Sequence, residues 1–268
     1  MSIAFEKVSC AFPPRREDAQ SFLAVDQVSL AVAAGEFVSL VGPTGCGKST
    51  LLHIAAGLLR ATSGRVLVQG EPLGGMNCDA GYLFQSDALM PWRTSLDNVT
   101  AGLEFRGVPA SSARERGGQW LARVGLAAHG HKYPHELSGG MRKRVALAQT
   151  LILDPRILLM DEPFSALDVQ TRHLMENELL GLWAQDRKTV LFVTHDLEEA
   201  ISLSDRVVVL SAGPGCRPVG EFAIDLPRPR DVTEVAMNPR FVELHRQIWQ
   251  TLKSEVQAAY ARQLGSGG

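Results

Sequence analysis

The residues from Gly42 to Thr50 read GPTGCGKST and combine three glycines, one lysine and three hydroxyl side chains. Glycines let backbone N–H groups point into a tight turn, and a helix that begins directly afterwards adds the positive end of its dipole. An ammonium group and a hydroxyl are suited to phosphate oxygens and to Mg²⁺ respectively. The pattern GxxxxGK[ST] therefore predicts a loop that binds nucleotide phosphates, formed by Gly42, Pro43, Thr44, Gly45, Cys46, Gly47, Lys48, Ser49 and Thr50.

The sequence on either side supplies the elements that this loop needs. An apolar run, 37–41, predicts a strand before it, and 51–56 continues a helix after it. Within the loop, Lys48 is predicted at the outer phosphates and Ser49 on Mg²⁺. Cys46 has two interpretations: a small side chain that fits the loop, or a thiol whose alkylation blocks nucleotide binding.

Two adjacent acids follow a second apolar run. Residues 157–160 are ILLM, and Asp161, Glu162 and Pro163 come next. In open α/β sheets nucleotides bind at the carboxyl ends of strands, and successive strand side chains diverge. Asp161 is therefore predicted to face Mg²⁺, and Glu162 is the candidate general base for the attacking water. An acidic turn after a core strand is the alternative.

A second candidate anion site lies at residues 137–141, LSGGM. Ser138, Gly139 and Gly140 precede a helix with apolar residues at helical spacing, so free N–H groups converge there. A helix cap alone would explain Ser138 but not both glycines. Because one nucleotide has one γ-phosphate, two anion sites in one chain suggest that ATP lies between two copies arranged head to tail.

The remaining chain predicts an antiparallel front part, a helical middle and an α/β core. The predicted strands are 3–8, 25–32, 36–41, 65–69, 157–160, 189–193 and 206–210. Two helices are predicted in the middle part: one is capped by Ser111 and Ser112 and ends at Val124, and the other is capped by Ser138 and ends at Ile152. Three more are predicted later, at 171–185, from Leu197, and from 241 to about 262. Residues 1–230 are thus one domain with a helical insertion at about 86–153, and 231–268 is a helical extension with a flexible tail.

Composition limits the functional classes. The chain has 268 residues, 45% of them hydrophobic, and a net charge of −2, which argues against a general nucleic-acid binder. No apolar run reaches the length of a membrane span, and four dispersed cysteines predict neither disulfides nor a zinc site. His129, His131 and His135 fit a loop better than a metal site, because no further ligand completes them. Arg142, Lys143 and Arg144 fit a solvated or partner-facing helix surface better than a nucleic-acid contact.

In the order of its motifs the chain resembles an ATP-binding cassette (ABC) ATPase. The motifs are the phosphate loop, Gln85, LSGGM, MDEP, SALD and His195, and they span most of the sequence. The resemblance implies a P-loop NTPase core of ABC type, an α/β fold with an antiparallel β subdomain and a helical subdomain. It also implies ATP and Mg²⁺ as ligands, and a head-to-tail dimer in which LSGGM completes the partner's ATP site.

The same resemblance assigns roles to residues that composition leaves unremarkable. Gln85 would contact Mg²⁺ and the attacking water, and His195 would bind the γ-phosphate, although an isolated histidine is more often structural. Asp168, in SALD, would lie at the dimer interface beside the nucleotide. Phe12 is the best candidate to stack on adenine and Phe22 is the competitor, since 13–21 looks like an insertion.

The segments FQxxxLMPWxTxxDNV, YPHELSGGMRKRVALAQTL and LPRPR resemble the importer subfamily for nitrate, sulfonates and taurine. Two positions depart from that pattern: Lys143 stands where Gln is common, and Gln149 stands where Arg is common. The resemblance implies an integral membrane permease, an indirect periplasmic or lipoprotein solute-binding partner, and a peripheral position on the cytoplasmic face of the inner membrane. Leu89, Met90 and Trp92 are candidate permease contacts, with packing inside the helical part as the alternative. The competing functions are an exporter or lipid-transport ATPase and a soluble ABC ATPase that acts on DNA or ribosomes.

Overall fold

The computed structural model describes residues 1–13 and 21–265, in two units. One unit comprises Met1–Cys78 and Glu176–Gly268, and the other comprises Asp79–Met175. The second unit contains the whole helical stretch expected at 86–153, together with the segments on both sides of it. The suspected insertion at 13–21 lies almost entirely outside the described residues.

The strands in the described residues are β1 (Ile3–Phe12), β2 (Phe22–Val32), β3 (Phe37–Val41), β4 (Ser63–Val68), β5 (Glu71–Pro72), β6 (Ala80–Leu83), β7 (Ile157–Asp161), β8 (Thr189–Val193), β9 (Arg206–Leu210) and β10 (Pro218–Ala223). The α-helices are α1 (Lys48–Ala55), α2 (Ser95–Phe105), α3 (Ala110–Arg123), α4 (Gly139–Leu151), α5 (Val169–Asp186), α6 (Leu197–Leu203), α7 (Val232–Val235) and α8 (Pro239–Gly265). In this described part of the chain, no helix is both long enough and apolar enough to cross a bilayer.

The front of the first unit is an antiparallel sheet in the order β2, β1, β4, β5. Strands β1 and β2 pair from Ile3 opposite Val32 to Phe12 opposite Phe22, so both are longer than predicted. The sequence alone ended β1 at Val8 because the Ser-Cys-Ala that follows has weak strand propensity. Cross-strand pairing extends the hairpin to the two phenylalanines.

The rest of the first unit is built around parallel strands. Strand β3 pairs in parallel with β8 on one side and β9 on the other, and β10 pairs with β9 in antiparallel fashion. These strands are buried runs of valine, leucine and phenylalanine, as expected for strands covered on both faces. Helix α8 packs its Phe241, Leu244 and Ile248 into the core beside β9.

The second unit pairs β6 with β7 in parallel and carries helices α2, α3 and α4. Helix α4 begins as predicted, because the Ser138 side chain accepts a hydrogen bond from the Met141 N–H. The predicted cap of α3 was wrong: Pro109 is the N-cap, and Ser111 lies inside the first turn. The fixed φ of proline suits the start of a helix, so α3 begins directly after Pro109 and not after the serines.

Candidate nucleotide site

The loop at 42–47 connects β3 directly to α1. Gly45 and Gly47 have φ angles of 75° and 117°, a region that side chains other than glycine rarely enter. A Cβ atom at Gly47 would lie only 2.8 Å from the Ala24 carbonyl oxygen. The loop therefore requires glycine at these positions, and its backbone leads into a helix N-terminus that favours an anion.

Lys48, the first residue of α1, is buried with 6% of its surface exposed. Its Nζ donates to the carbonyl oxygens of Gly42 at 2.8 Å and Pro43 at 3.0 Å. These bonds hold the ammonium group inside the curve of the loop, where it can face a phosphate. Ser49 and Thr50 follow in the first turn and are half-buried, whereas Thr44 and Gly45 are exposed at the tip of the loop.

His195 and the phosphate loop both follow the carboxyl ends of neighbouring parallel strands. Leu40 of β3 pairs with Val193 of β8, and each strand ends one residue or less beyond that pair. The neighbouring Thr194 is fixed by a hydrogen bond of 2.6 Å from its hydroxyl to Glu199. Asp196 caps α6 by accepting the Glu198 N–H at 2.8 Å, so the exposed His195 stands between two anchored residues.

Phe12 and Phe22 are the last pair of the β1–β2 hairpin, with 37% and 50% of their surfaces exposed. The same strand β2 passes the phosphate loop, since the Ala24 carbonyl lies against Gly47. Either ring is thus available near the loop, and both remain candidates for the adenine platform.

In the second unit, Gln85 and Glu162 lie just beyond the ends of paired parallel strands. Leu83 pairs with Met160, and two residues later the Gln85 Nε2 donates to Glu162 Oε2 at 3.3 Å. Glu162 has φ of 46°, a left-handed conformation that costs a residue of this type about 1–3 kcal/mol. Such strain is typical of functional positions, and here it turns the carboxylate toward Gln85.

Asp161 is the last residue of β7, with 4% of its surface exposed. Burial, followed by the charge of Asp161, raises the pKa of the Tyr82 hydroxyl on the neighbouring strand. Within this unit, the amide of Gln85 and the carboxylate of Asp161 offer hard oxygen atoms of the kind that Mg²⁺ prefers. In the first unit, the Ser49 hydroxyl offers another. Within the described residues, no group of three or more histidines, cysteines and acids could hold a metal ion.

The LSGGM segment lies beside SALD in this unit. A Cβ atom at Gly140 would approach Leu167 within 3.3 Å, so the glycine permits close packing there. Asp168 is exposed and accepts the Thr171 N–H at 3.0 Å at the start of α5. That hydrogen bond lowers the pKa of Asp168, so capping α5 is a structural role that this aspartate already has.

The prediction of a solvated or partner-facing surface was wrong for Lys143, which is a buried positioning residue. It lies in α4 with 2% of its surface exposed, and its Nζ donates to the Phe84 carbonyl at 2.8 Å and to the Gln85 carbonyl. Burial lowers the pKa of its ammonium group, and the charges of Asp87, Asp161 and Glu162 oppose that shift. Beside it, Arg142 Nε donates to Asp87 at 2.9 Å. Helix α4 therefore holds the Gln85 segment through two cations.

Replacing Lys143 with Met is expected to destabilise the protein and slow hydrolysis. Two carbonyls, including that of Gln85, lose their buried donor, which costs about 1–3 kcal/mol. Urea unfolding followed by circular dichroism measures this free energy, and phosphate release measures turnover. Lys253→Met, at an exposed position of α8, is the control and should match the original protein. Unchanged stability and turnover in Lys143→Met would remove this role.

The first unit, with a buried strand, a glycine-rich loop, a buried lysine and a helix in direct succession, defines a P-loop nucleotide-binding protein. A family model described as ABC transporter matches residues 25–165. The chain belongs to this family and is an ATP-binding ATPase, which confirms the predicted fold class and enzyme class.

Similar proteins extend over most of the chain. An uncharacterized ABC transporter ATP-binding protein of Methanocaldococcus jannaschii is 50% identical over 87% of this chain and 85% of its own length. The taurine import ATP-binding protein of Burkholderia pseudomallei is 41% identical over 94% of this chain and 97% of its own. Among solved structures, a dimeric post-hydrolysis ATP-binding cassette bound to ADP and Pi matches with a TM-score of 0.76 and 30% identity, covering 84% of this chain and all of that one.

Proposed function

We propose that this ATPase energises the import of a small solute, such as nitrate, a sulfonate or taurine, through a separate membrane permease. The taurine import relative supports the transport direction and the solute class, because the similarity extends over nearly the full length of both chains. The structural observation that supports coupling of hydrolysis to a permease is the hydrogen bond from Gln85 to Glu162. It ties the candidate base to a segment that continues, within seven residues, to the exposed Trp92.

The proposed chemistry is phosphoryl transfer to water, which requires positioning and charge neutralisation more than covalent help. Lys48 and the N–H groups at the start of α1 bind the phosphates of ATP, and His195 contacts the γ-phosphate. Glu162 takes the proton of the attacking water, which Gln85 orients. Ser49, Asp161 and Gln85 would hold Mg²⁺, which would supply positive charge to neutralise the phosphates. Phe12, or Phe22 in its place, stacks on adenine.

The proposed working form is a head-to-tail dimer with two shared ATP sites. Ser138, Gly139 and Gly140 of one copy close over the nucleotide that Lys48 holds in the other, and Asp168 lies at that interface. The free N–H groups at the start of α4 supply a second anion site, and the structurally similar cassette is itself dimeric. The dimer makes nucleotide occupancy and subunit association interdependent.

The proposed permease contact is the surface around Trp92. This ring is 73% exposed, in a segment held by the fully buried Asn98, which bonds the N–H and carbonyl of Met90 at 2.8 and 3.1 Å. Leu89 and Met90 are half-buried, so Trp92 offers most of the free apolar area. A rigid segment with one projecting aromatic ring suits docking of a membrane partner. The proposed location is the cytoplasmic face of the inner membrane, with a periplasmic or lipoprotein solute-binding protein acting through the permease.

Replacing Trp92 with Glu is expected to release the protein from membranes while ATP turnover by the purified chain stays unchanged. A tagged copy in source cells should sediment with membranes together with an integral permease identified by mass spectrometry. The Trp92→Glu copy should remain in the supernatant. Trp249→Glu, an exposed tryptophan on α8, is the matched control and should sediment normally. Equal sedimentation of all three proteins with membranes would contradict the Trp92 contact, and recovery with ribosomes would contradict the importer proposal.

A further inference from the structure

Two buried thiols from distant parts of the sequence meet at the phosphate loop. Cys46, inside the loop, and Cys216, after β9, have 2% and 0% of their surfaces exposed. The segment that carries Cys216 packs on the loop, since a Cβ atom at Gly213 would lie 3.4 Å from the Cys46 Cα. A Cβ atom at Gly47 would lie 2.8 Å from the Cys216 sulfur. The Cys216 thiol therefore lies directly against the loop that binds phosphate.

The backbone holds Cys216 in this place from both sides. Its N–H donates to the Ala24 carbonyl at 3.0 Å, and its carbonyl accepts the Asp26 N–H at 3.1 Å. At the beginning of the same connection, the Ala212 N–H donates to Glu255 of α8 at 2.8 Å. Because Cys216 is anchored to β2 and its connection to α8, the thiol pair is a fixed feature of the first unit.

The two thiols differ in acidity. The hydrogen bond with Cys216 lowers the pKa of Cys46, the charge and N–H of Lys48 lower it further, and burial opposes both. The hydrogen bond with Cys46 and burial raise the pKa of Cys216. The pKa of Cys10, which is buried elsewhere, is raised by burial. The first attack on an oxidant is therefore assigned to Cys46, whose surroundings favour the thiolate, and the second to Cys216.

We propose that Cys46 and Cys216 form a peroxide-sensitive dithiol site, and that their oxidation to a disulfide reversibly blocks nucleotide binding. The effect on nucleotide rests on the proposed role of the phosphate loop, whereas disulfide formation does not. The oxidant is hydrogen peroxide, a molecule close to water in size. Burial of both sulfurs excludes larger oxidants, and the exposed Thr44 and Gly45 lie immediately beside Cys46.

The oxidation balances in two steps. The Cys46 thiolate attacks one oxygen of hydrogen peroxide, the O–O bond breaks, and the products are a Cys46 sulfenic acid and hydroxide, which takes up the proton that Cys46 had released. The Cys216 thiol then attacks the sulfenic sulfur, the S–O bond breaks, and water leaves with the Cys216 proton. Two sulfurs have lost one electron each, and one peroxide has become two waters.

The disulfide would move the loop because its bond is short. An S–S bond is about 2.05 Å long, far shorter than a hydrogen-bonded contact between two thiols, and Cys216 is the anchored partner. Cys46 must therefore move toward Cys216, carrying the backbone between Gly45 and Gly47. A displacement of the loop N–H groups by about 1 Å is enough to take them out of hydrogen-bond range of a phosphate oxygen.

Peroxide treatment of a Cys78→Ser variant tests the proposal, since this change removes the exposed thiol and leaves Cys10 as a buried internal control. Non-reducing proteolysis with mass spectrometry should yield one peptide joining Cys46 to Cys216, with Cys10 still alkylated after denaturation. Affinity for a fluorescent ATP analogue should fall by about tenfold or more. Dithiothreitol should restore it, and bound ATP should slow the oxidation.

A second variant distinguishes the role of Cys46 from that of Cys216. With Cys216→Ala added, nucleotide binding before oxidation should be unchanged, and peroxide should leave a Cys46 sulfenic acid that dimedone traps. Free Cys46 and Cys216 after peroxide treatment, or a disulfide without loss of affinity, would overturn the proposal. A reduced protein that binds no nucleotide contradicts the proposed nucleotide site instead, and the cross-link alone then decides the thiol site.

Discussion

Glu162→Gln is expected to bind ATP normally and to hydrolyse it about 10²- to 10⁴-fold more slowly, the range by which a positioned general base accelerates proton transfer. The amide keeps the size of the carboxylate but cannot take a proton from water. The hydrogen bond with Gln85 is retained in kind, because an amide oxygen can still accept from Nε2. The chain should therefore keep its fold and its nucleotide while losing turnover.

Two assays measure hydrolysis and dimer formation separately. Phosphate release measures hydrolysis, and size-exclusion chromatography with ATP should show a dimer that persists because the nucleotide is not consumed. Glu71→Gln, on the exposed short strand β5, is the control and should hydrolyse at the normal rate. Turnover by Glu162→Gln close to that of the original protein would mean that another group is the base.

Lys48→Ala is expected to fail one step earlier, at nucleotide binding. The change removes a buried cation and its bonds to the Gly42 and Pro43 carbonyls, so the loop loses both the charge and the link that closes it. Losing one preorganised electrostatic contact to the reacting group costs roughly 10²- to 10³-fold in turnover. Unlike Glu162→Gln, this variant should show weak binding as well as slow hydrolysis.

Titration with a fluorescent ATP analogue separates the two variants, and circular dichroism establishes that each is folded. Lys253→Ala, which removes an exposed lysine of α8, is the control and should bind normally. If Lys48→Ala binds nucleotide as tightly as the original protein, the lysine serves only to close the loop.

The elements that could be predicted from the sequence are those whose signals are local. Strands β8 and β9 coincide with the predicted ranges, because continuous valine- and leucine-rich runs bounded by polar residues indicate buried strands. Strand β6 is short and interrupted by Gly81, and β10 alternates half-buried with exposed residues around Gly220, so neither was identified. Their pairing with β7 and β9 makes them strands, and such pairing is not visible in a local window.

The residues of the candidate site divide in the same way, into those with local sequence signals and those that depend on distant contacts. The phosphate loop, Ser138 and the two acids at the end of β7 lie within motifs of a few residues, so their positions at element ends could be anticipated. Lys143 and Cys216 act through contacts with residues far away in the sequence, at Gln85 and Cys46. A basic triplet and a dispersed cysteine gave no sign of those partners. The capping of α5 by Asp168 is a role that only the hydrogen bonds revealed.

The most direct test asks whether two variants that are inactive alone can hydrolyse ATP when they form a mixed dimer. Lys48→Ala has a damaged phosphate loop and an intact LSGGM, whereas Ser138→Glu has the reverse and places a negative charge where the proposal puts the γ-phosphate. The two variants, carrying different tags, are co-expressed and purified through both tags. If ATP lies between copies, this pair contains one intact site, so it should hydrolyse ATP while each variant alone does not. A doubly tagged pair as inactive as its parents would contradict the shared site.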